Sequence, residues 1–137
     1  MNFKGIFNID AEVKESAHAR VNLIGEHTDY TGGYVMPTLL SFKNTIEISQ
    51  NNSNEFTVYS QHFEEKKTFN DFKKSTNNEW VDYIKGCLHI FFDENKISSR
   101  FLNIFISSDI PLERGISSSS ALCVATLKAL NIFFETK

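Results

Sequence analysis

The chain has little of what marks disulfide-rich, metal-binding or membrane-spanning proteins. Its 137 residues include two cysteines, Cys87 and Cys123, which form no CxxC motif and lie in apolar segments. Buried, reduced thiols are therefore expected rather than a disulfide or a metal site. No segment reaches the roughly eighteen apolar residues that a membrane span needs. The first ten residues lack the basic start and continuous apolar run of a signal peptide, so a cytoplasmic protein is the expectation.

Features that would point to nucleic acid or to the common nucleotide-binding motifs are missing too. The formal net charge is -3 and the pI is near 5.8, which argues against nucleic acid as the main partner. Neither GxxxxGKS/T nor GxGxxG occurs. Repeats and low-complexity linkers are absent, whereas 13 phenylalanines and a hydrophobic fraction of 41% can supply a core. One domain over residues 1–137 is therefore expected.

The periodicity of apolar residues predicts an α+β fold. Period-two alternation and short apolar runs indicate strands, and residues 42–60 fit a hairpin around the turn cluster at 51–54. Strands are expected at residues 21–24, 35–40, 42–49, 56–60, 66–69 and 101–106. They would form a mixed or mostly antiparallel sheet with helices packed on one face. The strand at 66–69 would lie at the edge, and the apolar strand at 101–106 near the centre.

Three segments favour helices. The first fifteen residues include a short helix that packs on the domain. A second helix, capped by Asn78, has apolar residues at i, i+4, i+7, i+8 and i+11 and so presents one buried face. That face consists of Trp80, Ile84, Cys87, Leu88 and Phe91. The third helix, over residues 121–134, is apolar on nearly all sides and therefore needs cover from several directions.

The densest group of polar side chains lies in residues 20–37, RVNLIGEHTDYTGGYVMP. A cation, two carboxylates and an imidazole fall close together here: Arg20, Glu26, His27 and Asp29. Such charge beside the apolar run 21–24 is costly unless a polar ligand binds there. Carboxylates accept hydrogen bonds from hydroxyl groups, and arginine can answer developing negative charge. The segment therefore predicts a site for a small polyhydroxylated ligand.

A second informative segment, residues 111–121, has the sequence PLERGISSSSA. It leads from a predicted strand into the third helix, whose first N–H groups lack chain partners and carry the positive end of the helix dipole. Gly115 allows close backbone approach, and the hydroxyls of Ser117, Ser118 and Ser119 can bond phosphate oxygens or a magnesium ion. A serine-rich helix start alone is more often a cap. Beside the first segment, it favours an anion site.

Together these segments resemble the galactokinase family of the GHMP kinase superfamily. Residues 20–37 are similar to the galactokinase signature, and residues 111–121 are similar to the phosphate-binding motif Pro-x-x-x-Gly-Leu-Ser-Ser-Ser-Ala. A weaker likeness is Trp80-Val-Asp-Tyr83-Ile-Lys-Gly86, which resembles the Trp-x-x-Tyr-x-x-Gly helix that galactokinases place near the adenine. The resemblance covers most of this chain but only the first part of a galactokinase.

The resemblance implies phosphorylation of the C1 hydroxyl of galactose by ATP with magnesium. It also implies the ribosomal protein S5 domain 2-like fold of GHMP kinase N-terminal domains. Glu26, His27 and Asp29 would hold sugar hydroxyls. Arg20 would lie by the reacting C1 oxygen and stabilise charge in the transition state.

The same resemblance assigns the nucleotide side of the site. The backbone of Gly115 and residues Ser117, Ser118 and Ser119 would cradle the phosphates, with Ser119 as the magnesium ligand. Trp80 and Tyr83 would line the pocket for the nucleotide base.

The resemblance further implies parts that residues 1–137 do not contain. In the family, the catalytic aspartate, a third glycine-rich motif and a sugar-contacting tyrosine come later in the chain. We therefore expect that this chain alone turns over no substrate and that a C-terminal half docks on it. Glu113 and Arg114 stand where the family normally has small residues, and a carboxylate there would weaken ATP binding.

Three other readings stay open on the sequence. A sister kinase acting on N-acetylgalactosamine would share the signature, because the space beside C2 is lined partly by sequence beyond residue 137. A catalytically silent galactose- and ATP-binding regulator could keep Arg20, Glu26 and Asp29 and differ around the serine motif. A truncated, inert product would expose an apolar face and self-associate.

Overall fold

The structure, a computed structural model, describes residues 2–22, 37–72, 80–97, 100–109 and 118–135. Its elements in chain order are α1 (Phe3–Phe7), β1 (Val13–Asn22), β2 (Pro37–Gln50), β3 (Phe56–Ser60), β4 (Glu65–Phe69), α2 (Val81–Asn95), β5 (Leu102–Ser108) and α3 (Ser118–Phe133). The strands form one sheet in the order β1-β2-β5-β3-β4. β3 and β5 are parallel, and the other neighbouring strands are antiparallel. The predicted α+β fold with a mixed sheet is confirmed.

The main core lies between the sheet and the helices α2 and α3. Alternate side chains of β2 and β5, such as Ile46 and Ile104, point to this face, where they meet Ile84 and Leu88 of α2 and Leu130 of α3. All five are 0% exposed. Burying a side chain of this size stabilises a fold by about 1.5–3 kcal/mol. The apolar stripe that predicts α2 is thus the surface that holds it on the sheet.

The short helix α1 covers part of the opposite face of the sheet. Phe3 packs there against Tyr59 of β3 and Phe105 of β5, and all three are buried. Asn2 caps the helix, because its side-chain oxygen accepts the N–H of Gly5 at 2.8 Å. The predicted first helix is confirmed. The two long helices share one face, as expected, and α1 adds a smaller cluster on the other.

The predicted hairpin over residues 42–60 is wrong. Both strands exist, but β5 lies between β2 and β3 and pairs with each of them. β5 takes the central place because Leu102–Ile106 are buried without a break, so this segment suits a strand covered on both faces. Alternation identified the strands but carried no information about their partners. The predicted edge strand at 66–69 is confirmed as β4.

A buried polar network explains how the chain passes from β2 to β3 without forming a hairpin. The Nδ2 atom of Asn103, in β5, donates to Ser49 Oγ of β2 at 3.2 Å. Asn51 Nδ2 donates to Asn103 Oδ1 at 2.9 Å and to Thr57 Oγ1 of β3 at 3.2 Å. The backbone N–H of Asn51 also bonds to the carbonyl of Phe101 at 2.9 Å. These bonds hold the turn across the start of β5, so β2 and β3 stay one strand apart.

Strand lengths near the start of the chain also differ from the prediction. β1 begins at Val13 and pairs with β2 from Val13↔Ile48 to Asn22↔Pro37, whereas the sequence indicated only residues 21–24. The first half of β1 contains three consecutive polar residues, Lys14, Glu15 and Ser16, and was not recognised as an edge strand. Residues 23 and 24 lie outside the described residues. β2 joins the two strands predicted at 35–40 and 42–49 into one.

The two long helices agree with their predicted faces. Ile84, Cys87, Leu88 and Phe91 are buried, and Trp80, just before α2, is half-buried. Asn78, the expected cap, lies outside the described residues. α3 begins at Ser118 and leaves apolar side chains half exposed, as expected for a helix that is apolar all round. Within the part of the chain that the structure describes, no helix is long and apolar enough to cross a membrane.

Candidate active site

Three strands end at one edge of the sheet. β1 and β5 are each antiparallel to β2, and β3 is parallel to β5, so β1, β3 and β5 run in the same direction. Their last residues, Asn22, Ser60 and Ser108, lie towards this edge, which we call the carboxyl edge. After Asn22 the chain leaves this edge within residues 20–37, which we call the signature segment. After Ser108 it leaves towards residues 111–121, which we call the serine segment. The chain therefore leaves β1 and β5 in the same direction before it enters these two segments.

The predicted sugar ligands fall mainly outside what the structure describes. Glu26, His27 and Asp29 are outside the described residues. Arg20 is described in its backbone, which pairs with Leu39 of β2 close to a register shift between His18 and Arg20. Such an irregularity locally disrupts the regular ladder. Arg20 thus lies near the end of β1, at the first residue of the signature segment.

The predicted phosphate ligands are described only in part. Gly115 and Ser117 lie outside the described residues, whereas the backbones of Ser118 and Ser119 form the first turn of α3. The N–H groups at the start of an α-helix have no partner within the helix and attract anions. Lys128 fixes α3 on β1, since its Nζ donates to the carbonyl of Ser16 at 2.8 Å. The serine segment therefore leads into a helix that is anchored on the sheet.

A shallow polar cavity of about 200 Å³ lies at the carboxyl edge, and its lining residues are Lys43, Thr45, Gln61, Ser107, Ser108 and Asp109. Asp109 closes it between two strands: its Oδ1 accepts the N–H of Lys43 at 2.6 Å, and its own N–H donates to the Lys43 carbonyl at 3.2 Å. On the other side, the N–H of Gln61 bonds to the Ile106 carbonyl at 2.9 Å. These bonds fix the point at which the chain leaves β5 for the serine segment.

The two aromatic residues predicted for the nucleotide base lie at the start of α2. Trp80 donates its indole N–H to Glu65 Oε1 at 2.9 Å, and the N–H of Tyr83 bonds to the Trp80 carbonyl at 3.3 Å. The Tyr83 side chain is 50% exposed. Glu65 is the first residue of β4 and pairs with Ser60, so this group also lies at the carboxyl edge.

Sequence reasoning missed one aromatic residue of this group. Phe63, in the turn between β3 and β4, stacks on Trp80 with ring centroids 6.0 Å apart and planes 11° from parallel. His62 meets the Phe63 ring edge-on at 4.8 Å. A large apolar side chain within an otherwise polar turn, Gln-His-Phe-Glu, was the available signal. Which helix it would meet could not be seen without the tertiary structure.

The two cysteines face each other between α2 and α3. Cys87 is buried, and its thiol donates to the Cys123 carbonyl at 3.9 Å. Both thiols are free, as predicted. A side-chain hydrogen bond from the Cys87 thiol to the Cys123 sulfur lowers the pKa of Cys123 to about 7. The same side-chain contact, together with burial, raises the pKa of Cys87. Cys123 is therefore the more reactive thiol, because the thiolate is the nucleophile.

Alkylation of Cys123 by iodoacetamide should reach half of its maximal rate near pH 7. An ordinary thiol, by comparison, is half ionised near pH 8.5. Quantifying the labelled peptide by mass spectrometry across pH 5–10 gives the profile, and Cys87 should stay unlabelled in the folded protein. In the Cys87→Ala variant, which lacks the donor, the midpoint should rise towards the ordinary value. A wild-type midpoint above pH 8 would contradict this assignment.

Two family models match the chain. The galactokinase galactose-binding signature matches residues 1–50, and the GHMP kinases N terminal domain matches residues 82–137. The galactokinase of Pyrococcus furiosus is 39% identical over 126 residues, which cover 91% of this chain and 35% of that protein.

Solved structures agree with these matches. Lactococcus lactis galactokinase complexed with galactose aligns with a TM-score of 0.83 at 27% identity, over 98% of this chain and 36% of that chain. Streptococcus pneumoniae phosphomevalonate kinase in complex with phosphomevalonate and AMPPNP aligns with a TM-score of 0.74 at 17% identity, over 91% of this chain and 38% of that chain. The second likeness is one of fold alone.

The sheet, the helix that follows the serine segment and the two family matches define a class: the chain has the fold of GHMP kinase N-terminal domains and is similar to that superfamily in sequence. Within that superfamily it resembles the N-terminal portion of galactokinases, whose signature it carries. The chain spans about a third of the length of the galactokinases it matches.

Proposed function

We propose that this chain is the N-terminal GHMP domain, residues 1–137, of a protein that transfers the terminal phosphoryl group of ATP to the C1 hydroxyl of galactose. The galactokinase signature match over residues 1–50 is the observation that carries the proposal. The arrangement at the carboxyl edge supports it, since the signature and serine segments leave the sheet on the same side. Phosphoryl transfer needs the acceptor and the phosphates next to each other.

The proposed roles on the sugar side follow from the chemistry of the side chains. Glu26 and Asp29 accept hydrogen bonds from galactose hydroxyls, and His27 donates or accepts one more. An epimer with a hydroxyl in the wrong direction leaves a carboxylate unpaired, which is how such a site distinguishes sugars. Arg20 stabilises the negative charge that develops near the C1 oxygen. The position of Arg20 near the end of β1 is compatible with this role, because the chain leaves the sheet two residues later towards Glu26 and Asp29.

On the nucleotide side, we assign the phosphates to Gly115, Ser117 and Ser118 and to the N-terminal N–H groups of α3. Ser119 fits a magnesium ion as one hydroxyl ligand beside nucleotide oxygens, because magnesium is commonly held by few protein groups together with substrate phosphates. No group of three or more His, Cys, Asp or Glu side chains that could hold a metal occurs among the described residues. When bound, the ion neutralises phosphate charge during transfer.

Binding and turnover separate the parts of this proposal. Isothermal titration calorimetry of the 137-residue chain should detect both ATP, with magnesium chloride present, and galactose. A coupled assay for ADP release should detect no galactose-dependent turnover, because Arg20 lacks the carboxylate partner that the family supplies from further along the chain. Galactose-dependent ADP release by this chain would contradict the second expectation.

The choice of sugar tests the substrate class. Galactose should bind, whereas glucose, its C4 epimer, should not. Stronger binding of N-acetylgalactosamine than of galactose would favour the sister kinase instead. Binding of neither sugar, with the chain folded by circular dichroism, would overturn the sugar half of the proposal.

A further inference from the structure

Large apolar side chains are usually buried, but a group of aromatic residues at the carboxyl edge is exposed to solvent. Phe63 is 51% exposed and its ring stacks on Trp80, and Tyr83, three residues after Trp80, is 50% exposed. His62 extends the group on the far side of Phe63. Clustered exposed aromatic rings next to polar segments commonly mark a binding surface rather than a packing defect.

The turn that carries Phe63 is held in place by specific contacts. The N–H of Phe63 bonds to Ser60 Oγ at 3.3 Å, which ties the turn to the end of β3. Glu64 adopts a φ of 51°, a left-handed conformation that residues with a side chain seldom take. The Phe63 ring is therefore presented at a defined position against Trp80, although half of its surface faces solvent.

Glu65 fixes the other ring of the pair. Its Oε1 accepts the indole N–H of Trp80 at 2.9 Å and lies 3.5 Å from Nζ of Lys67. A hydrogen bond to a carboxylate is stronger than one between neutral groups, so it limits rotation of the indole. The nearly parallel rings of Phe63 and Trp80 thus form an apolar stack, and the hydrogen bond to Glu65 of β4 fixes its orientation.

We propose that the turn between β3 and β4 forms part of the nucleotide-base site, with Phe63 as a direct stacking contact for the purine of ATP and Glu65 as a positioning residue for Trp80. The inference rests on the proposed function, because it assumes that the serine segment holds the phosphates of the same nucleotide. Stacking suits a planar purine because every base has a π-face, and no hydrogen-bond code is required.

The test compares a ligand that has a base with one that lacks it. ATP and inorganic tripolyphosphate, both with magnesium chloride, are titrated into the 137-residue chain and its variants by calorimetry. Phe63→Ala should weaken ATP binding about tenfold, the scale of one lost base–aromatic stack. Its affinity for tripolyphosphate should not change. Phe63→Tyr keeps the ring and should retain most of the ATP affinity, and Ile9→Ala, at an apolar residue 43% exposed elsewhere, should change neither ligand.

The positioning role of Glu65 has its own readout. Trp80 is the only tryptophan in the sequence, so its emission reports this site alone. ATP should quench that emission, and tripolyphosphate should not. Glu65→Ala should reduce ATP affinity and the quenching together, whereas Glu65→Gln, which keeps an acceptor oxygen, should restore both.

Each outcome separates the inference from the function on which it rests. If Phe63→Ala binds ATP as tightly as the wild type, or loses ATP and tripolyphosphate equally, the base contact is wrong while the phosphate assignment stands. Equal binding of ATP and tripolyphosphate by the wild type would likewise overturn the base site alone. Failure of the folded wild type to bind either ligand would overturn the nucleotide proposal and this inference together.

Discussion

Replacing Phe56 by alanine should lower the melting temperature of the chain by about 10 °C or more. Phe56, at the start of β3, is 1% exposed. Its ring lies 5.2 Å from that of Phe69, 5.8 Å from that of Phe72 and 5.1 Å from that of Phe101, measured between centroids. Removing it leaves a cavity where β3, β4 and the approach to β5 meet. A buried Phe→Ala change typically costs about 3–5 kcal/mol.

That loss is a large part of the total free energy of unfolding of a natural domain, which is about 5–15 kcal/mol. Thermal unfolding followed by circular dichroism at 222 nm measures it. Phe56→Leu keeps most of the volume and should lose about 1.5 kcal/mol or less. Phe63→Ala is the matched control, because it removes the same atoms from a ring that is half exposed. If Phe56→Ala and Phe63→Ala had equal melting temperatures, the packing of Phe56 against Phe69, Phe72 and Phe101 would not contribute measurably to stability.

Galactose binding should be lost when Asp29 is replaced by asparagine or Glu26 by glutamine. Each change keeps the size of the side chain but removes the negative charge that strengthens hydrogen bonds from sugar hydroxyls. Hydrogen bonds to a charged group are worth about 1.5–3 kcal/mol, so two of them at one carboxylate correspond to about a 100-fold loss or more. Saturation-transfer difference NMR with galactose detects the wild-type signal and its disappearance.

The control for these variants is another carboxylate that carries no sugar role. Asp10 lies near α1, 83% exposed in its side chain, 3.8 Å from Nζ of Lys4. Asp10→Asn should leave the galactose signal unchanged, and ATP binding should persist in all three variants. Unaltered galactose binding in both Asp29→Asn and Glu26→Gln would remove the sugar role from the signature.

The sequence predicted local structure correctly where the pattern of apolar residues lies within one segment. The stripe that includes Ile84 and Leu88 identified α2 and its buried face, because helical spacing alone decides which side chains share a side. The mostly apolar residues 101–106, interrupted only by Asn103, likewise indicated a central strand. The hairpin failed because strand pairing depends on segments far apart in the chain, and alternation is the same whichever partner is chosen.

The same distinction between local patterns and distant contacts applies to the candidate site. Trp80 and Tyr83 were proposed from their spacing in the sequence, and both lie at the start of α2, where their role stays a prediction. Phe63 was not, because its role depends on a contact between the β3–β4 turn and a helix more than a dozen residues away. The predicted sugar and phosphate ligands Glu26, His27, Asp29, Gly115 and Ser117 stay predictions, because they lie outside the described residues.

The sequence by itself determined the chemistry: a cluster of carboxylates, an imidazole and an arginine beside a strand, a serine-rich helix start, and free cysteines with no metal-binding spacing. These are properties of neighbouring residues, so they can be read without a fold. Only the tertiary structure decided that β5 lies between β2 and β3, and that β1, β3 and β5 therefore end at one edge. That order depends on which apolar surfaces bury each other most completely, a property of the whole chain, and it sets the direction in which Asn22, Ser60 and Ser108 leave the sheet.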